Sequence, residues 1–246
     1  MAKFWAQVNS VIDDADILLL LLDARMVKET RNREIEDKVK EKNKSLVYVV
    51  TKCDIADKES FYKYKQRLKP SVFTSTKDYQ GLRDLRELIH IIGDKRKIEG
   101  KIKVGVLGYP NVGKSSLINA LKGRKSAPTS ALSGYTKGIQ KIKTGSRIIL
   151  LDTPGVIPGK ERDEMKHAMI GTIDFTKAKE PELVVFELME RVPGKIEKFY
   201  NVQGEDFEVI LEDIAIKKKI MKKGNIPDTS RMARMILTQW QKGLLK

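Results

Sequence analysis

A single cysteine, Cys53, in 246 residues excludes a disulfide framework within the chain and a cysteine-rich zinc site. Two histidines, His90 and His167, are too few to build a histidine metal cluster. Long apolar runs are missing. Ile17 to Leu22 falls far short of the roughly 20 residues that a membrane-spanning helix needs. That run starts too deep and ends on Asp23 and Arg25, so it does not read as a secretion signal. The expectation is a cytoplasmic protein with no membrane and no disulfide partner. Acidic residues are in deficit, with 33 Asp and Glu against 48 Lys and Arg, a formal net charge of +15. The excess favours a large polyanion, RNA or ribosome first, over the plainer alternative of a solvated surface dense in both Lys and Glu.

What is present is globular. Hydrophobic residues make up 41% and charged residues 33%, enough for one α/β domain and a smaller module. Asp16 to Ala24 and Leu46 to Val50 read as buried parallel strands, and Ser71 to Thr74 as a third. Helices are predicted over Met1 to Ile12, Thr30 to Lys42, Lys58 to Leu68 and Leu82 to Ile92. The polar stretch from Gly93 to Lys103 reads as a linker. Ile102 to Leu107 is a further strand, followed by a glycine-rich turn and a helix to Lys122. Lys125 to Lys137 reads as a loop, and two strands follow near Gly138 to Lys143 and Arg147 to Leu151. No strand is predicted beyond Lys179. Helices are predicted over Pro181 to Arg191 and Asp206 to Lys223, with a last one capped by Asp228.

Gly108-x4-Gly113-Lys114-Ser115, between a strand and a helix, fits the phosphate-binding P-loop. Tyr109, Pro110, Asn111, Val112, Gly113 and Ser116 would wrap the phosphates with backbone N–H groups. Lys114 would reach the β- and γ-phosphates, and Ser115 would ligate Mg²⁺. Thr51-Lys52-Cys53-Asp54 matches the NKxD pattern with Thr for Asn. A carboxylate at Asp54 accepts from guanine N1–H and the exocyclic amine, a donor pair that adenine lacks. Thr74, Ser75 and Thr76 follow the next strand, where a base-contacting loop is expected. Asp152-Thr153-Pro154-Gly155 closes the last strand, with Asp152 in the Mg²⁺ shell and the Gly155 N–H toward the γ-phosphate. Thr136 lies where a switch threonine would complete the Mg²⁺ ligands.

The order of these motifs is unusual. The base-reading motif starts at Thr51 and the P-loop at Gly108, and no strand remains after Asp152 to finish a sheet. Joining the upstream half restores six strands. The expected fold is therefore α/β: a circularly permuted P-loop GTPase domain over residues 1–176, with a six-stranded mainly parallel sheet and helices on both faces. A small C-terminal helical domain over 177–246 follows.

This arrangement resembles the circularly permuted ribosome-assembly GTPases of the YlqF/RbgA type. Asp23-Ala24-Arg25 with Arg31-Asn32 resembles the family's DARxPxxxRN segment. Asp228, Arg231, Ala233, Arg234, Trp240 and Gly243 resemble its C-terminal helical signature. The resemblance implies GTP and GDP as ligands, GTP hydrolysis coupled to maturation of the large ribosomal subunit, and rRNA contact by the helical module. Lys222, Lys223, Arg231 and Arg234 are the candidates for that contact. Val27 replaces a family proline. Thr51 replaces Asn, which puts one structural hydrogen bond at risk and leaves base recognition by Asp54 intact. The family's N-terminal histidine, assigned to hydrolysis, is expected to have no counterpart here. Val156 stands where a water-orienting glutamine is usual, so slow hydrolysis, raised by a ribosomal particle, is expected. Asn111 matches the P-loop asparagine of K⁺-dependent relatives, where K⁺ supplies charge beside the phosphates. His167 is expected at a surface or interface, His90 in a structural role, and Cys53 as an apolar filler. The alternatives are a nucleotide-dependent RNA-binding switch with negligible hydrolysis and an unrelated P-loop kinase or ATPase.

Overall fold

The structure, a computed structural model, describes residues 2–123, 140–153, 155, 167, 170 and 179–245. The chain packs as two units, Met1–Glu161 and Arg162–Lys246. The sequence-based boundary at 176/177 falls among residues outside the described ones.

In the first unit α1 (Ala2–Asp14) leads into β1 (Ile17–Asp23), whose seven residues are all buried. Such a strand has no solvent face, which is why its sequence is a continuous apolar run rather than an alternation. Asn32 caps α2 (Arg33–Glu41) by accepting from the Ile35 N–H at 3.1 Å. Glu34 and Glu36 in its first turn and Lys38 and Lys40 in its last suit the helix dipole. Next come β2 (Ser45–Thr51), α3 (Lys58–Tyr62), β3 (Ser71–Phe73), α4 (Leu82–Lys95), β4 (Ile102–Leu107), α5 (Lys114–Lys122), β5 (Gln140–Thr144) and β6 (Ile148–Asp152).

The six strands form one sheet in the order β3-β2-β1-β4-β6-β5, parallel except for the β5–β6 hairpin. The upstream half supplies β1 to β3 and the downstream half β4 to β6. They are fused by β1 against β4, from Ile17 opposite Val104 to Leu20 opposite Leu107. The strand order reverses at this seam. In open parallel sheets, ligands bind outside the carboxyl ends of strands at such a crevice. β2, β1 and β4 end there, carrying the TKCD motif, Asp23 and the P-loop. Val11 and Ile12 of α1, Ala15 just after it and Ile35 of α2 pack with Leu18 and Leu20 in the core. Each fully buried leucine contributes on the order of 2 kcal/mol. A second join also crosses the halves, because Arg86 of α4 and Thr144 of β5 both donate to the Leu121 carbonyl at the end of α5. A cation there suits the negative end of the helix that starts at the P-loop.

Three expectations are corrected. The helix expected over Lys58 to Leu68 ends at Tyr62, and turns carry the chain on to β3. Gly93 belongs to α4 instead of opening a linker: a Cβ there would lie 2.4 Å from Ile102 Cδ1, so its bareness lets the helix sit on β4. The third correction concerns the C-terminal unit, which is not strand-free. Met221–Lys222 and Ile226–Pro227 pair antiparallel around a tip at residues 223–225. Gly224 and Asn225 adopt positive φ there, the conformation a tight hairpin turn requires. The rest of that unit is helical: Pro181–Arg191, Lys195–Tyr200, Phe207–Lys217 and Thr229–Gln241. Leu188, Ile214, Ile236 and Trp240 form its buried interior. Asp206 and Asp228 cap two of these helices through their carboxylates. Among the described residues no helix is long and apolar enough to cross a membrane.

Candidate nucleotide site

The P-loop runs from the end of β4 into α5. Its backbone is left-handed at Asn111 (φ +61°) and turned at Gly113 (φ +104°), a conformation that side chains rarely adopt. Gly113 is also the N-cap of α5 and gives no side-chain cap, so the helix presents its first N–H groups for an anion. Tyr109 and Val112 are buried and serve as anchors, leaving their backbone for the loop, while Pro110, Ser115 and Ser116 are half-buried.

Lys114 is 7% exposed and donates to the carbonyls of Gly108 (3.0 Å) and Tyr109 (2.6 Å). Burial pushes its ammonium down to about 8, against an upward pull from Asp152. Asp152 is itself buried at the end of β6, and Thr153 is locked by donating to the Val106 carbonyl at 2.8 Å. Gly155 rests on the P-loop. A Cβ there would lie 2.6 Å from both the Cα and the N of Pro110. Gly155→Ala must therefore displace one loop or the other. It is expected to cost about 1–3 kcal/mol of stability, as overpacking does, and to lower GTP turnover at least about ten-fold. Thermal unfolding and steady-state turnover check this.

The TKCD motif is stitched to the P-loop. Thr51 is buried, and its hydroxyl lies 2.5 Å from the Val112 carbonyl and 3.0 Å from that of Leu22. A hydroxyl has one proton, and the shorter contact takes it. Thr51 thus links this motif to the P-loop. Cys53 N–H donates to the Thr74 carbonyl at 3.2 Å, tying the motif to the next loop. Thr74 is fully buried and donates to the Val50 carbonyl. Ser75 exchanges hydrogen bonds with Asp78, and Thr76 is half-buried beside it. Asp54 sits half-buried in a short 3₁₀ turn, Cys53–Ile55, beyond the end of β2. The Cys53 thiol is pushed up to about 12, mainly by burial, in keeping with an inert filler.

One cluster was quoted in the sequence without a role. Asp23, 4% exposed, accepts from the backbone N–H of Arg25 (3.0 Å), from its Nε (3.0 Å) and Nη2 (2.7 Å), and from Lys52 Nζ (2.8 Å). Burial alone would raise this carboxyl, but Arg25 and Lys52 outweigh it and hold it well below the usual carboxylate range. The signal was a single charge closing an otherwise wholly apolar strand.

Thr136, Pro154 and Val156 lie outside the described residues. His167, expected at a surface or an interface, is buried, which corrects the surface alternative. Of the basic candidates, Lys222, Lys223 and Arg231 are exposed, whereas Arg234 Nη1 donates to the Ser230 hydroxyl at 2.7 Å.

Fold and motifs together define a P-loop GTPase domain whose two halves are exchanged in the chain. Residues 103–222 match the 50S ribosome-binding GTPase family. The GTP-binding protein MJ1464 of Methanocaldococcus jannaschii is 38% identical over 97% of this chain and 65% of its own length. Nucleolar GTP-binding protein 2 of Saccharomyces cerevisiae is 30% identical over 98% of this chain and 52% of its own length. The chain thus spans between half and two thirds of these relatives. YlqF from T. maritima in its GNP-bound form superposes with a TM-score of 0.65 at 22% identity, covering 98% of this chain and 94% of that one, a likeness of fold. In fold the chain is a circularly permuted P-loop GTPase domain like that of YlqF, and in sequence it is similar to the GTP-binding proteins named above.

Proposed function

We propose that this chain binds GTP and GDP with Mg²⁺, hydrolyses GTP slowly on its own, and couples nucleotide state to rRNA binding on the large ribosomal subunit. The observation that carries the reading is the hydrogen bond from Thr51 to the Val112 carbonyl. It joins the segment that would read guanine to the loop that would hold phosphate, across 61 residues and the seam of the permutation.

In this reading Asp54 accepts from the guanine edge and the Lys52 stem covers the base. Lys114 leaves its two loop carbonyls for the β- and γ-phosphates, and the Gly155 N–H meets the γ-phosphate. Ser115, Thr136 and Asp152 hold Mg²⁺, which when bound neutralises charge between the β- and γ-phosphates. The donor set fits that ion. The buried Asp152 carboxylate, close enough to Lys114 to raise its ammonium, suits a cation that keeps water and phosphate as its other ligands. No cluster of three or more His, Cys, Asp or Glu stands among the described residues. Asn111, in its left-handed conformation, is the proposed contact for K⁺. A valine at position 156 cannot hydrogen-bond the attacking water, which is in keeping with slow hydrolysis raised by a ribosomal particle or another activator.

The net charge of +15 and the exposed hairpin lysines support rRNA as the partner. The test is co-sedimentation with large subunits, paired with single-turnover hydrolysis. A non-hydrolysable GTP analogue should retain the protein on subunits and GDP should release it. Lys222→Glu with Lys223→Glu and Arg231→Glu should weaken binding at least about ten-fold and flatten its salt dependence. Subunits should accelerate hydrolysis. Equal retention in both nucleotide states, with no acceleration, contradicts the coupling.

A further inference from the structure

We propose that Asp23, oriented by Arg25, is a positioning residue that clamps Lys52 for the guanine base before any nucleotide arrives. The inference rests on the nucleotide reading above. Its basis is the division of labour around one buried carboxylate. Arg25 takes both oxygens in a fork and adds its own backbone N–H, so the carboxylate is neutralised and aimed without Lys52. Lys52 then takes the remaining acceptor site on Oδ2. The turn that holds Arg25 is itself fastened. Asp23 N–H donates to Thr30 Oγ1, which donates to the Met26 carbonyl, and Thr30 is buried.

Lys52 needs such a partner for two reasons. Its backbone is left-handed (φ +60°), a conformation that a residue with a Cβ keeps when surrounding contacts fix it. Its stem is four carbons long with much rotamer freedom, and ordering it during binding would weaken affinity. Asp23 and Thr51 are register partners on β1 and β2, so the clamp sits one residue from Lys52 on the neighbouring strand. The Arg25 side chain is 5% exposed and that of Lys52 is 23%. The inner cation is thus a fixture, and the outer one reaches the crevice. The carboxyl is held well below its usual range, so Asp23 stays charged across working pH.

The test measures equilibrium binding of fluorescent GDP, and separately of Mg-tripolyphosphate, to wild type, Asp23→Asn, Lys52→Ala and the double variant. Asp23→Asn should weaken GDP about ten-fold and leave tripolyphosphate, which has no base, at wild-type affinity. The double variant should bind GDP no worse than Lys52→Ala alone, because Asp23 acts through Lys52. If Asp23→Asn does not fold, Asp23→Asn with Arg25→Gln removes the stranded charge and should show the same GDP loss. Wild-type GDP affinity in whichever variant folds, additive losses in the double variant, or equal loss of tripolyphosphate overturns the clamp. Failure of the wild-type protein to bind GDP overturns the nucleotide reading and the clamp together.

Discussion

Lys114→Ala is expected to cut GTP turnover by about 10²–10³-fold, the range for loss of one preorganised charge at a transition state, while leaving the free protein as stable as wild type or more so. The two effects have one cause. Without nucleotide the ammonium is buried against two carbonyls, and burial lowers it from 10.5 to about 8. In the folded state the charged form is therefore disfavoured. Below pH 8 the lysine is charged both folded and unfolded, and the full penalty, on the order of 3 kcal/mol, applies. Between about pH 8 and 10.5 the folded protein sheds the proton first and the penalty fades. On this group's account the free protein gains stability as pH rises through that window. Alanine removes the penalty and forfeits the packing of the stem, so the balance falls near zero or above. Phosphates would favour the charged lysine and restore its proton. Nucleotide binding above pH 8 should thus take up a proton, and affinity should decline as pH rises further. Calorimetry in two buffers of different ionisation enthalpy measures that uptake, and thermal unfolding with turnover assays measures the rest.

Asp54→Asn should lower GDP affinity about a hundred-fold, as loss of a charge-assisted bidentate contact does, and should raise affinity for xanthosine diphosphate. In the proposed site the Asp54 carboxylate would accept two hydrogen bonds from guanine. An amide in its place sets a donor against the exocyclic amine of guanine, and the same donor suits the C2 carbonyl of xanthine. The exchange is clean because Thr51, not Asp54, bonds to the P-loop. The backbone around position 54 is held by Cys53 N–H on Thr74 and by the 3₁₀ turn. A variant that lost guanine and xanthine nucleotides alike would show Asp54 to be a structural residue.

The middle of the sheet was legible because β1 is buried on both faces and β2 beside it is buried or half-buried throughout. Leu18 to Leu22 and Leu46 to Val50 are apolar throughout, and each ends in a polar residue at the functional edge. Motif spacing marked the candidate strand ends, and the structure brings those of β1, β2 and β4 side by side. The missed features depend on tertiary partners or on stretches too short for periodicity. Gly93 looked like a boundary because its reason for being glycine, Ile102, lies on another element. The hairpin at Met221–Lys222 and Ile226–Pro227 has two residues in each strand, and the Gly224-Asn225 pair was its one readable signal. The grip of Arg86 on the Leu121 carbonyl joins residues 35 apart. The Asp23 clamp needed β1 and β2 set side by side before Lys52 could be seen to meet it. Thr51 shows the opposite case: a residue that departs from the usual motif still reaches the P-loop, through its hydroxyl on the Val112 carbonyl.

The central claim is that the upstream TKCD segment and the downstream P-loop form one guanine-selective site. Equilibrium displacement of fluorescent GDP, with Mg²⁺ present, tests it most directly. GDP and GTP should displace the probe at low micromolar concentration or below, and ATP should fail to do so even at about a hundred-fold higher concentration. Displacement by ATP as readily as by GTP would contradict the account, because the P-loop would then be acting without the segment that Thr51 ties to it.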